Sequence, residues 1–176
     1  MAMILDLKNL KEGVAHKQFE LPADEFELNY EGVTVAGKLE LEADVNRIKE
    51  QVVFKGRFSV PVRLVCARCA EEFDRVFSDK LVFVLNLVDQ EIAESDEYED
   101  TDDYYYLPNT TTEFDLAPLL REQVILQTGM KPLCSEDCAG ICPNCGVNKN
   151  EHSCECDDEK IDPRWIKLKE LTRKQN

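Results

Sequence analysis

The sequence predicts an α+β protein: a mainly antiparallel β domain with one packed helix, then a C-terminal cysteine-rich module ending in a short helix. Three observations carry this. Apolar and polar residues alternate through much of 31–88, the period of half-buried strands. Residues 115–128 instead have helical spacing, bracketed by a capping aspartate and a glycine. Six of the eight cysteines fall within 134–156. The expected domains are therefore 1–130 and 131–176.

The chain begins Met1-Ala2-Met3-Ile4-Leu5-Asp6-Leu7-Lys8. Charge interrupts the apolar run early and no basic stretch precedes it, so it does not read as a secretory signal. No segment approaches the roughly 20 apolar residues that span a bilayer. A cytoplasmic protein without membrane contact is expected.

The strands follow in order. Val33, Val35, Leu39 and Leu41 alternate between Glu31 and Val45, with Gly32 and Gly37 as punctuation. Phe54, Phe58, Val60, Val62 and Leu64 continue the pattern over 52–65. Val76, Leu81, Phe83, Leu85 and Leu87 carry it through 73–88. Ala67-Arg68, flanked by Cys66 and Cys69, is thereby placed at a hairpin tip. Residues 89–103 hold nine acidic side chains and no basic one. Self-repulsion and low hydrophobicity predict a mobile acidic loop there. Tyr104-Tyr105-Tyr106 predicts a short returning strand.

In the helix over 115–128, Asp115 is the candidate cap and Pro118 sits in the first turn, where a missing N–H does least harm. Leu116, Leu119, Leu120, Val124 and Leu126 give its apolar face, and Gly129 the stop. A last helix is expected from Asp162-Pro163, with Trp165, Leu168 and Leu171 on one face.

Clustered cysteines in a reducing compartment point to metal or redox chemistry rather than disulfides. Cys142-Pro143-Asn144-Cys145-Gly146 has the form of a zinc knuckle, and Gly146 permits a left-handed turn. Zinc takes four ligands, at about 2.3 Å to sulfur. Cys154-x-Cys156, after an eight-residue loop, can complete the set. Cys66, Cys69, Cys134 and Cys138 then form a second quartet, stapling the module to the β domain. The other pairing joins Cys134 and Cys138 to Cys142 and Cys145, leaving Cys66 and Cys69 for Cys154 and Cys156. Either way, all-thiolate coordination is the mark of structural sites, here two zinc ions. Arg68, Lys131 and Lys149 lie nearby in sequence to offset the negative charge. A thioredoxin-like Cys66/Cys69 pair would open a helix, whereas this pair sits between strands. Four cysteines also suit an iron–sulfur cluster, but the knuckle favours zinc. His152 could replace one thiolate but, with eight cysteines present, reads as a solvated loop histidine; His16 stands alone in a polar stretch.

No phosphate loop, nucleophile elbow or HExxH motif is present. An enzyme with a small-molecule substrate is not expected. The net charge of −15 argues against a broad nucleic-acid-binding surface and favours a basic protein partner. The cations Lys160, Arg164, Lys167, Lys169, Arg173 and Lys174 form a local exception, readable as an RNA contact or as cations favourably placed at a helix C-terminus.

Several of these residues together resemble the YceD family, the large ribosomal RNA subunit accumulation proteins. They are Cys66-Ala67-Arg68-Cys69 with Glu72-Phe73, the helix from Asp115-Leu116 through Glu122 to Ile125-Leu126, Pro132-Leu133-Cys134, Cys138, Gly140 through Asn148, and Asp162-Pro163-Arg164. The resemblance implies a bacterial cytosolic factor supporting large-subunit rRNA accumulation, with rRNA or a pre-ribosomal particle as partner. The alternative is a zinc-stabilised module or chaperone for a basic ribosomal protein, held by the 89–103 run without direct RNA contact. An enzyme acting on rRNA is a third class, without a catalytic constellation to support it.

Overall fold

Alternation of side chains over two long strands organises the described residues. The computed structural model describes residues 3–28, 30–93 and 103–156. In chain order the strands are β1 (Ile4–Asp6), β2 (Gly13–Leu21), β3 (Val33–Val35), β4 (Leu39–Ile48), β5 (Gln51–Val65), β6 (Glu72–Val88), β7 (Tyr104–Pro108) and β8 (Glu113–Asp115). The helices are α1 (Gln90–Ala93) and α2 (Ala117–Thr128). Six strands form one sheet, ordered β2-β4-β5-β6-β7 with β3 also on β5; β1 and β8 pair separately. All pairings are antiparallel except β6 with β7. The mainly antiparallel α+β class is as the alternation indicated.

Two units divide the chain: Met1–Ala67 with Glu71–Cys134, and Arg68–Ala70 with Ser135–Asn176. The first holds the sheet and α2. Its core row along β5 is Val52, Phe54, Phe58, Val60, Val62 and Leu64, all fully buried. Phe54 faces Phe83 of β6 in register and stacks on it at 4.6 Å. Gly56 interrupts this row. A Cβ there would lie 2.8 Å from the Phe54 ring and 2.9 Å from a Leu41 methyl, so its missing side chain is the space those two occupy.

Three details depart from the sequence reading. Val76 points to water, while Phe77 takes the core side with Leu81, Phe83, Leu85 and Leu87. The latter five share odd numbering, so a period of two already excludes Val76 from their face. On α2 the buried residues are Ala117, Leu120, Val124 and Thr128, and Leu126 is exposed. Within 89–103, Gln90–Ala93 is a helical turn, closed by Ile92 and Ala93 N–H groups donating to Asp89 O. The rest of the predicted acidic loop, 94–102, and the predicted helix from Asp162 lie outside the described residues.

The start of the chain is core material. Met3, Leu5, Leu7 and Leu10 are buried, and Arg47 holds the segment by donating to the Leu7 and Leu10 carbonyls at 2.7 and 3.0 Å. Asp115 Oδ1 accepts the Ala117 N–H at 3.0 Å, Pro118 sits in the first turn, and Gly129 ends α2 with φ 67°. No helix among the described residues is long and apolar enough to cross a membrane.

Gly56→Ala is expected to overpack the Phe54–Leu41 contact and destabilise the protein by about 1–3 kcal/mol. Chemical denaturation measures this directly; an unchanged midpoint would show that the core yields at no cost.

Candidate metal centres

The β5–β6 hairpin ends in a turn built for sulfur. Cys66 donates its N–H to Glu71 O at 2.9 Å, and Ala67 donates to Pro132 O at 2.8 Å. Ala70 adopts φ 59°, a left-handed conformation uncommon for a residue with a Cβ. The Cys134 N–H points at Cys66 Sγ, 3.4 Å away. The sulfurs of Cys66, Cys69, Cys134 and Cys138 all lie within 4.8 Å of one another. Cys66, Cys69 and Cys138 are buried and Cys134 is exposed.

Arg68 and Gly140 organise the second unit. Arg68 Nη1 donates to the carbonyls of Glu136 and Cys138 at 3.0 and 3.1 Å, and Arg68 O accepts the Ile141 N–H at 3.0 Å. Gly140 has φ 72°, and a Cβ on it would lie 2.9 Å from Arg68 O, so both conformation and space require glycine. Asn150 was not singled out by its sequence position. Its Nδ2 donates to Cys138 Sγ at 3.4 Å and its Oδ1 accepts the Ala139 N–H at 2.7 Å. The nearby Asn148-x-Asn150 spacing, with Asn150 donating to Asn148 Oδ1, is the one sequence signal for it.

The knuckle forms as its spacing indicates. Ile141 and Asn148 pair as an antiparallel bridge. Inside it, Cys142 donates to Val147 O and Gly146 to Cys142 O, both at 2.8 Å, and Gly146 takes φ 74°. This brings the sulfurs of Cys142, Cys145, Cys154 and Cys156 within 4.8 Å of one another. Cys142 is buried, Cys154 and Cys156 half-buried, and Cys145 exposed.

The thiols of this quartet differ electrostatically. The N–H groups of Cys145 and Asn144 draw the Cys142 thiol down to about 6. Hydrogen bonding to Cys145, burial and the Cys142 sulfur push Cys156 up to about 12. For Cys154 the Cys156 N–H works downward, but its hydrogen bond with Cys142 and burial outweigh it and the thiol is raised.

The donor sets fit a metal. Sulfurs placed tetrahedrally about 2.3 Å from a common centre are roughly 3.8 Å apart, within the observed grouping. Each quartet can hold a metal ion, giving two sites. The grouping is the one that pairs Cys66/Cys69 with Cys134/Cys138, and Cys142/Cys145 with Cys154/Cys156. His16 lies on β2 beside Asp44 and belongs to neither set.

A family model described as large ribosomal RNA subunit accumulation protein YceD matches residues 54–172, a span that contains all eight cysteines. Uncharacterized proteins of Mycobacterium bovis and Mycobacterium tuberculosis are each 31% identical over 136 residues, covering 76% of this chain and 61% of their own. The chloroplastic YCED homolog 1 of Zea mays, a large ribosomal RNA subunit accumulation protein, is 24% identical over 144 residues, covering 69% of this chain and 49% of its own. The chain thus spans about three-fifths of the mycobacterial relatives and half of the maize one. No solved structure matches.

Metal uptake by the thiols should release protons, because thiolates are the ligands. Near pH 7.5 Cys142 has already lost its proton, whereas Cys154 and Cys156 must give theirs up. Lowering the pH through about 6 adds the Cys142 proton to the release. Calorimetric zinc titrations in buffers of different ionisation enthalpy read the count; heats independent of the buffer would contradict it.

Proposed function

The chain belongs to the YceD family, and on that premise we propose that it is a non-enzymatic cytoplasmic factor in bacterial large ribosomal subunit biogenesis. It supports accumulation of large-subunit rRNA by acting on rRNA or a pre-ribosomal particle. The match over 54–172 carries this reading. Depleting the protein is expected to lower large-subunit rRNA relative to small-subunit rRNA; an unchanged ratio would refute it.

The eight cysteines serve this function as scaffolding. Cys66, Cys69, Cys134 and Cys138 hold one zinc ion, and Cys142, Cys145, Cys154 and Cys156 another. All-cysteine coordination leaves no open position for a substrate or a water, which supports a structural role. Zinc in such sites contributes directly to folding, on the order of 10 kcal/mol in small zinc peptides.

A second reading has one favouring observation, the net charge of −15. Such a chain attracts a basic ribosomal protein and repels phosphate, so the protein would act as a chaperone or placeholder for that partner. The acidic run 89–103 and the cations around Arg164, Lys167 and Arg173 would then serve different partners. Deleting 89–103 and comparing capture of basic ribosomal proteins at low and physiological salt tests the acidic run.

Purified protein is expected to carry about two zinc ions per chain by metal analysis. Cys142→Ser should raise hydrogen exchange over 140–156 while leaving β4 and β5 protected, since those strands have their own apolar core. Cys66→Ser should instead open 67–70 and 134–138 together. Equal opening everywhere in both variants would contradict two separable sites.

A further inference from the structure

Among the described residues the ladder of the larger sheet stops short on one side of β6. β5 pairs with one edge from Glu72 to Asn86, whereas β7 covers the other edge only from Val84 to Val88. In a strand the N–H and C=O of one residue share a lateral direction, and alternate residues share an edge. Val84 donates to Asp103 O at 2.7 Å, so Val82, Lys80 and Ser78 present their backbone groups to that same edge. Among the described residues no strand pairs with them there. Such an edge is a template for another chain unless it is blunted. Blunting is partial: the Lys80 N–H is taken by Asp79 Oδ1 at 2.7 Å. No described group takes the Val82 N–H in this way.

This edge forms one wall of a cavity of about 460 Å³. Lys80 and Val82 line the strand side, Asp103 and Tyr105 the end where β7 begins, and Glu122 and Leu126 the α2 side. Leu126 is 67% exposed, so the α2 wall shows apolar carbon to water; the Val82 side chain alternates with buried Leu81 and Phe83 and points to the other face of the sheet, so the strand wall offers its backbone groups. Packing among the described residues does not account for Leu126, because α2 turns Leu120, Val124 and Thr128 inward. An open strand edge facing an apolar helix wall suits an extended peptide. Main-chain hydrogen bonds then supply affinity, and alternate side chains supply specificity.

We propose that the groove between β6 and α2 takes an extended, lysine- or arginine-bearing segment of a protein partner, which adds to β6 as a strand beside Ser78–Val82. Charge selects this occupant. Asp103 and Glu122 line the groove against the single cation Lys80, and Asp79 adjoins it, in a chain of net charge −15. A second copy of so acidic a chain is repelled, and so is a phosphate backbone. Only the assignment of the partner as a ribosomal protein rests on the biogenesis reading; the groove itself does not.

The test uses the full chain and a fluorescent ten-residue peptide alternating Val with Lys. It is expected to bind, and a counterpart alternating Val with Glu should bind at least roughly tenfold more weakly. Methylating alternate amides of the Val/Lys peptide along its pairing edge keeps its charge and should cost roughly tenfold, the effect of one or two lost hydrogen bonds. Val82→Pro removes an N–H that points away from β5, a position where proline is tolerated, and should weaken binding similarly. Leu126→Lys, on exposed helix surface, should do the same without touching the sheet. Bound peptide should slow hydrogen exchange at the Val82 amide. Equal binding of the methylated peptide, or unchanged Val82 exchange, overturns the proposal. So does a concentration-dependent dimer abolished by Val82→Pro, or an rRNA fragment that outcompetes the peptide for the groove. Complementation of depleted cells separates the two readings. If wild-type chain restores large-subunit rRNA and both variants do so equally well, the groove has no part in the function. If depletion never altered that rRNA, the biogenesis reading fails while the peptide result stands.

Discussion

Pairing of β5 with β6 in one register is the constraint on which the rest depends. The ladder runs from Gln51 opposite Asn86 to Val65 opposite Glu72, the full 15 residues of β5. Side chains alternate strictly across it, so a slip of one residue would turn Phe54, Phe58, Phe83 and Leu85 to water together. Their complete or near-complete burial therefore locks the register. That register decides where the hairpin turns, and hence where Cys66 and Cys69 project. It also decides which edge of β6, beyond the short β7, has no strand partner among the described residues.

Around the cysteines, local backbone conformation does work that a hydrophobic core would do elsewhere. Residues 135–156 bury few apolar side chains; Cys138 and Cys142 are their buried core-type residues. Backbone hydrogen bonds hold the loops instead, from Ile141 to Arg68 O, Lys149 to Gly140 O and Gly146 to Cys142 O. Left-handed residues at Gly140 and Gly146 make those bonds reachable. A segment with so little apolar burial needs another source of folding free energy, and ligand binding by converging thiols is such a source.

The sequence made β4, β5, β6 and α2 legible because period two and helical spacing are strong over stretches of ten residues or more. It also made the quartets legible, since short cysteine pairs constrain geometry locally. What it hid has physical reasons. Met3, Leu5, Leu7 and Leu10 alternate imperfectly in a short segment whose partner, β8, lies over a hundred residues away. Gly56 reads as a gap in a strand, and only tertiary contact shows that Phe54 and Leu41 fill it. Leu126 falls on the apolar face by spacing, but α2 is buried along one side only. The edge of β6 without a partner among the described residues was invisible because it depends on where β7 stops. Asn150 looked like an ordinary loop residue, since its role appears only once Cys138 is folded against it.

Charge at the sulfurs brings these strands of reasoning together. Four thiolates around a divalent ion leave a net charge of about −2 at each quartet, in a chain already at −15. The sequence suggests nearby cations as the remedy, Arg68 foremost. In the folded chain, however, the Arg68 guanidinium donates to the Glu136 and Cys138 carbonyls. The sulfurs receive neutral donors instead: the Cys134 N–H at Cys66, Asn150 Nδ2 at Cys138, and the Asn144 and Cys145 N–H groups at Cys142. Neutral donors spread thiolate charge without a counterion whose attraction salt would screen. Their directions are also fixed by the fold, whereas a flexible lysine must be ordered at an entropic cost. Asn150 is thus a positioning residue for the first quartet, because it contacts the Cys138 sulfur and also accepts the Ala139 N–H beside it.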